Sequence, residues 1–464
     1  MSDKLKERKE KVLFERKNGF EKLSAAEEKA MAKYCKQYMD FLQRGRTERL
    51  CVERAVELAE AAGFRPYQRG DGLKMGDKVY RVNRNKSVLL AVLGRKGLEE
   101  GCQITASHID SPRLDVKPMP LYEDSELAYF KTHYYGGIRK YQWVARPLAI
   151  YGVVVLKDGK TVKVALGEGN EPRFVVTDLL PHLGAEQGKK PLNEAIPAES
   201  LNILLGSRPV RGEGSDRVKL TVMEKLNAKY GITEEDFLSA ELEVVPAEDV
   251  TEIGLDGSMI GAYGHDDRVC GFAAFQALLD LGNVPEKTAV CMLADKEEIG
   301  SMGVSGMQSQ FFDTFMEDLC DAQGVALRAC YENAFCFSTD VTAAFDPGFA
   351  DVYDKRNASF FNYGVALCKY TGARGKSGAS DAGAETLGYI RRVLDDYGVY
   401  WQMAELGKAD AGGGGTVAQF MANRNITTLD AGVPVLSMHA PFEVVSKLDC
   451  YMTYKGCKAV YLAD

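Results

Sequence analysis

The sequence predicts an α/β protein with a β-rich insertion, and three observations carry that reading. Apolar strand-like runs alternate with helical segments near both ends of the chain, which is the pattern of an α/β domain. Between about residues 115 and 245 this texture gives way to Pro and Gly breaks and paired β-like runs. Several strand-like runs end in His, Asp or Glu, and the carboxyl ends of parallel strands are where open α/β sheets bind ligands. With 464 residues, 45% of them hydrophobic, the chain is long enough for two domains. Residues 1–114 and 246–464 are assigned to one domain and 115–245 to the insertion.

Residues before Gly63 read as helix. Ser24-Ala-Ala-Glu27 has the form of a capping box, and Thr47 can cap the next helix, which should stop at Gly63. Ser87 to Leu93 and Gln103 to Ala106 read as buried strands. Past Asp115, Pro118, Pro120, Gly136 and Gly137 break the chain, and Leu148–Leu156 and Thr161–Leu166 form two β-like runs around Lys157-Asp-Gly159. The stretch Gly167–Arg217 is polar and irregular. The β/α texture resumes near Leu242. An amphipathic helix is expected over Arg268–Leu281, strands over Thr288–Ala294 and Ala334–Ser338, a helix over Ala379–Leu394, and strands over Ile426–Leu429 and Val433–Ser437.

Charge and cysteine usage exclude several classes. The 58 Lys and Arg against 66 Asp and Glu leave a net charge of −8, and no basic stripe alternates with aromatics, so neither nucleic acid nor an anionic membrane is an expected partner. No apolar run is long enough to cross a bilayer, and the charged start Met1-Ser-Asp-Lys-Leu-Lys lacks a signal-peptide core. The 11 cysteines include no Cys-x-x-Cys pair, and Cys102, Cys291, Cys336 and Cys368 lie in apolar runs. They read as reduced, buried thiols of a cytoplasmic protein.

Five segments carry the chemistry: Ile104-Thr-Ala-Ser-His108-Ile-Asp110, Gly264-His-Asp266-Asp267-Arg268, Val290 through Glu297-Glu298, Phe335-Cys-Phe-Ser-Thr-Asp340, and Val433 through His439. Two histidines and three carboxylates at strand ends suit a pair of zinc-like ions with one carboxylate bridging. Glu297 beside Glu298 is then free to move protons, and the set can activate water against an amide bond. Asp110, two residues beyond His108, is placed to accept the second imidazole N–H. Spacing alone does not choose between Asp266 and Asp267. Each residue also has a structural alternative: a hydrogen-bonded strand-end imidazole, a helix cap at Asp266, a solvated loop at Glu297-Glu298, a strand terminator at Asp340. Gly375-Lys376-Ser377 is not a phosphate loop, because Tyr370 stands where the earlier glycine is needed. Gly412–Gly415 is not a dinucleotide fingerprint, because Val417 stands where Gly or Ala is needed. The glycine run can let backbone amides approach a substrate.

Ser107-His-Ile-Asp-Ser-Pro-Arg113, Asp295-Lys-Glu-Glu-Ile-Gly-Ser301, Ser338-Thr-Asp340 and Ser437-Met-His439, in this order, resemble the M18 metalloaminopeptidases, the aspartyl aminopeptidase group. The resemblance implies a zinc-peptidase-like catalytic domain with a mixed central sheet flanked by helices, interrupted by a β-rich dimerisation domain. It implies two Zn2+ per subunit, with Co2+ or Mn2+ as substitutes: His108 and Asp340 on one ion, Glu298 and His439 on the other, and Asp266 bridging. Glu297 falls on the family's general base and Asp110 on the carboxylate that orients the first histidine. His182, in Leu180-Pro-His-Leu183, resembles a histidine that the dimerisation domain supplies to a neighbouring subunit's active site. The implied assembly is a homodimer building a tetrahedral homododecamer, and the implied substrates are peptides. Lys369 and Lys376 are both candidates for contact with an acidic first residue, in a segment that departs from the family pattern. The rival readings are a related deblocking aminopeptidase or carboxypeptidase with the same ion pair, and a non-catalytic scaffold of the same fold.

Overall fold

The computed structural model describes residues 3–464. Its central sheet has nine strands, in spatial order Arg65–Pro66, Lys78–Asn83, Ser87–Val92, Thr288–Ala294, Cys102–His108, Phe335–Thr339, Thr427–Gly432, Val365–Cys368 and Trp401–Met403. The four strands Thr288–Ala294, Cys102–His108, Phe335–Thr339 and Thr427–Gly432 run parallel, whereas Ser87–Val92 and Val365–Cys368 flank them antiparallel. The sheet is therefore mixed.

Helices cover both faces, which is why these strands read as continuous apolar runs instead of alternating ones. Along Thr288–Ala294, Ala289, Cys291 and Leu293 pack into one core, and Val290, Met292 and Ala294 into the core on the opposite face. The helix His265–Leu279 corrects the amphipathic expectation. Every residue from His265 to Leu278 is buried, because the helices Lys447–Leu462 and Ala25–Arg44 pack over its outer side. The capping box at Ser24–Glu27 and the Thr47 cap are both present. The helix expected from Ala379 starts instead at Ala384, after Gly383 as cap, and runs to Asp396.

Two smaller sheets complete the molecule. Six antiparallel strands lie in the order Thr161–Leu166, Leu148–Val155, Ala240–Pro246, Arg113–Asp124, Leu127–Tyr135 and Ile203–Gly206, around a separate core that includes Trp143, Phe130 and Phe237. The helix Arg217–Tyr230 packs on it through Val218 and Leu226. A five-stranded sheet joins Thr251–Ile253, Met259–Ala262, Glu443–Ser446, Pro434–Leu436 and Thr342–Ala343. This sheet was not foreseen, and it carries two of the site segments. All eleven cysteines are buried and free. Among the described residues no helix is long and apolar enough to cross a membrane.

Candidate metal centre

Three of the five segments reach the site as expected, from the carboxyl ends of adjacent parallel strands. His108 ends Cys102–His108, Glu297 and Glu298 follow Thr288–Ala294, and Asp340 follows Phe335–Thr339. The other two come from the five-stranded sheet. Asp266 follows Met259–Ala262 at the start of the buried helix, and His439 lies between the antiparallel strands Pro434–Leu436 and Glu443–Ser446. His439 itself sits at φ 63, and Lys296 and Ser301 around the Glu297–Glu298 turn sit at φ 68 and 58. Such left-handed non-glycine residues each cost about 1–3 kcal/mol and persist where the surrounding structure dictates them.

Asp266 is the centre of the constellation. Its Oδ1 lies 3.2 Å from His108 Nε2, and its Oδ2 lies 3.2 Å from His439 Nε2. Asp340 Oδ1 is 3.7 Å from His108 Nε2, Glu298 Oε2 is 3.7 Å from His439 Nε2, and Glu297 Oε2 is 3.8 Å from His108 Nε2. Asp267 is held differently from Asp266, by the backbone of His108. Its Oδ2 accepts the His108 backbone N–H at 3.3 Å, although its position also groups it with His108 and Asp340.

The ring orientations test whether a cation fits. His108 Nδ1 lies 3.0 Å from the Asp110 carbonyl, and His439 Nδ1 lies 2.9 Å from the Gly137 carbonyl. A carbonyl only accepts, so each Nδ1 carries the proton, and a neutral ring then presents its Nε2 lone pair to carboxylate oxygens. Without an ion, a second proton on each Nε2 bridges to those oxygens; a cation can take the place of that proton, with the same nitrogen and oxygens as its ligands. Two ligand bonds of the usual zinc lengths at a tetrahedral angle set N and O about 3.4 Å apart, and the four spacings of 3.2 to 3.7 Å bracket that value. Glu298 Oε1 is buried without a hydrogen-bond partner. The donor set fits zinc.

Burial and crowding shift the titrations in the same cavity. Burial pushes Glu297 up to about 8 against the pull of His108, and burial with Asp266 pushes Glu298 well above the carboxylate range. Burial alone would lower the imidazoles, but Asp110, Asp266 and Asp340 outweigh it at His108, and Asp266 with Glu298 pushes His439 up to about 11. Burial also opposes ionisation of Asp266, yet the two histidines hold it below its usual value.

Two supporting carboxylates hold the site groups in place. Asp110 Oδ1 accepts from Glu297 N at 3.1 Å and lies 3.3 Å from His108 Nδ1, while its Oδ2 accepts from Glu298 N at 3.2 Å and Tyr135 Oη at 2.8 Å. Asp110 thus holds the Glu297–Glu298 turn as well as the histidine it was expected to face. Glu443 was missed from the sequence. Its Oε2 accepts from Asp266 N at 3.1 Å and its Oε1 from His439 N at 2.8 Å, clasping both loops of the small sheet. The only sequence signal was its place four residues after His439.

Asp266, Glu297, Glu298, Asp340 and His439 open onto a cavity of about 480 Å³, walled by Val341, Leu406, Phe420 and Met438 and by the backbone of Gly413–Gly415. Lys369 and Lys376 do not line it; both pair with Asp381, at 2.7 and 3.2 Å. His182 is exposed on the Leu180–Leu183 turn of the insertion and joins none of the cavity's donor groups.

The fold and the donor set define a zinc-dependent hydrolase. Residues 41–461 match the family described as aminopeptidase I zinc metalloprotease, M18. The chain is 46% identical over 458 residues to a probable M18 family aminopeptidase 1 of Clostridium acetobutylicum, covering 97% of this chain and 98% of that one. It superposes with a TM-score of 0.93 on the crystal structure of an M18 family aminopeptidase from Thermotoga maritima, at 43% identity over 97% of this chain and 99% of that one. It also shares its fold, at a TM-score of 0.74 and 20% identity over 92% of this chain and 97% of that one, with the S. cerevisiae mApe1 dodecamer. The chain belongs to the M18 family of zinc aminopeptidases, and is a metal-dependent aminopeptidase.

Proposed function

We propose that the enzyme releases N-terminal residues from peptides with two zinc ions that share Asp266. The observation that carries this reading is the single Asp266 carboxylate, each oxygen of which faces the Nε2 of a different histidine at 3.2 Å. His108 and Asp340 would hold one ion, and Glu298 and His439 the other; Co2+ or Mn2+ would substitute. Bound zinc supplies Lewis acidity and lowers the pKa of a coordinated water toward neutrality. Glu297 takes the proton of the attacking water and returns it to the leaving amine. Asp110 keeps His108 in the tautomer that presents Nε2 and fixes the turn that carries Glu297. A substrate's free α-amino group finds its counter-charge in the carboxylates of the cavity.

His182 would act in a neighbouring subunit, donating to the developing oxyanion. Its exposure, and that of Leu179, Leu180, Leu183 and Leu192 around it, supports burial of this surface against a partner. In this reading the insertion at 115–245 is the dimerisation domain and dimers build a tetrahedral homododecamer. Eleven free thiols suit the cytoplasm.

Among the described residues no Lys or Arg lines the cavity, which favours a neutral first residue over an acidic one. Peptides with free and blocked N-termini, beginning with Leu or with Asp, test the reading by product analysis. Release of a single residue from the free Leu peptide is expected, with the Asp peptide cut more slowly. Cleavage of the blocked peptide, or release from the C-terminus, contradicts the reading in favour of a deblocking enzyme or a carboxypeptidase.

A further inference from the structure

The inserted sheet touches the site in cis through three consecutive residues at the end of its strand Leu127–Tyr135. The Tyr135 hydroxyl donates to Asp110 Oδ2 at 2.8 Å. Gly136, at φ +74, passes so close to Glu298 that an added Cβ would lie 3.2 Å from its Oε2. The Gly137 carbonyl accepts from His439 Nδ1 at 2.9 Å.

Tyr135 is itself held rigidly. It pairs directly across the strand with Arg113, whose guanidinium carbon lies 3.8 Å from the centre of the Tyr135 ring. Arg113 is fixed by Asp115 at 2.8 Å, Glu243 at 3.3 Å and Glu48 at 3.6 Å, a buried ionic cluster at the junction between the insertion and the helix Glu48–Ala61. A cation over a buried ring and a cross-strand pair both resist displacement of the aromatic. The hydroxyl therefore meets Asp110 from a fixed position, and a bond to an ionised acceptor is among the stronger hydrogen bonds available.

We infer that Tyr135 is a positioning residue, whose hydroxyl, delivered by the inserted sheet, holds Asp110 and through it the Glu297–Glu298 turn. The inference rests on the reading of Glu297 as the base. Tyr135→Phe keeps the ring beneath Arg113 and removes only the hydroxyl. In zinc-replete enzyme it is expected to lower kcat about 10- to 100-fold, with KM and bound zinc within about twofold of the parent. If the hydroxyl works through Asp110, the double variant Tyr135→Phe/Asp110→Asn turns over no more slowly than Asp110→Asn alone.

Unchanged kcat in Tyr135→Phe, a loss that excess zinc restores, or losses that multiply in the double variant each overturn the inference. Light scattering and a thermal melt accompany each assay, and Gly136→Ala is a second probe if Tyr135→Phe does not assemble. Alanine at Gly136 strains a backbone at φ +74 next to Tyr135 and crowds Glu298, and is expected to lower kcat and speed zinc loss to a chelator; parental zinc retention and turnover there overturn the role of this segment. Glu297→Gln, run alongside, separates the two failures. Full turnover in that variant removes the base assignment, whereas an inactive Glu297→Gln with a fully active Tyr135→Phe removes only the role of Tyr135.

Discussion

Asp110→Asn changes one oxygen to an amide nitrogen at a carboxylate where four donors converge. On Oδ1 these are Glu297 N at 3.1 Å and His108 Nδ1 at 3.3 Å; on Oδ2 they are Glu298 N at 3.2 Å and Tyr135 Oη at 2.8 Å. With the new nitrogen in place of Oδ1, His108 keeps the Asp110 carbonyl at 3.0 Å, but the Glu297 amide loses its acceptor. With the nitrogen in place of Oδ2, Tyr135 can turn its hydroxyl to accept, but the Glu298 amide loses its acceptor. Either orientation leaves one amide of the turn facing a donor. A hydrogen bond to a charged group contributes about 1.5–3 kcal/mol, so the turn is released at a cost in rate of about 10- to 150-fold. The assay is kcat and KM on an aminoacyl 4-nitroanilide in zinc-replete buffer, with bound zinc measured on the same sample. A parental kcat in folded, zinc-replete Asp110→Asn would refute the reasoning, because the turn would then hold its place without Asp110.

Three further outcomes follow from the same geometry. Glu297→Gln keeps every proposed ligand and should retain zinc while losing about 10²–10⁴ in kcat, as zinc content and turnover measured together would show. His439→Ala and Asp340→Asn each remove a ligand from a different ion, so metal analysis should find less zinc in both, and chelation of the parent should mimic them until zinc, cobalt or manganese is restored. His182→Ala should lower kcat by about 10²–10³ without loss of metal or assembly, and mixing it with Glu297→Gln subunits should regenerate activity; co-assembled mixtures as inactive as both parents would place His182 outside any trans role.

What could be read from the chain depended on how local the signal was. Thr288–Ala294 was found residue for residue, because a buried parallel strand leaves an unbroken apolar run. The caps at Ser24 and Thr47 were equally local. The five-stranded sheet was invisible, since Thr251–Ile253, Thr342–Ala343 and Pro434–Leu436 are too short for a period to register. Its absence from the reading put Asp266 and His439 on the wrong sheet, although both were chosen as site candidates. Burial of His265–Leu278 on all sides is not legible in the sequence, because its cover comes from helices near the two ends of the chain, Ala25–Arg44 and Lys447–Leu462. The residues gathered around the site are recognisable in the sequence by type and strand-end position. Their pairing around Asp266 is implied only by the family resemblance, because spacing does not distinguish Asp266 from Asp267, whereas their contacts do. Tyr135 and Glu443 left no pattern, since each acts through contacts between segments that only the folded chain brings together.

Asp266 is the proposed shared ligand of two ions, and anomalous diffraction at the zinc absorption edge on crystals of the zinc-replete enzyme tests this most directly. The expected map has two peaks per chain, one between His108 and Asp340 and one between Glu298 and His439, each touching a different oxygen of Asp266. A single peak, or a second ion held by Asp267 with Asp266 uninvolved, would contradict it.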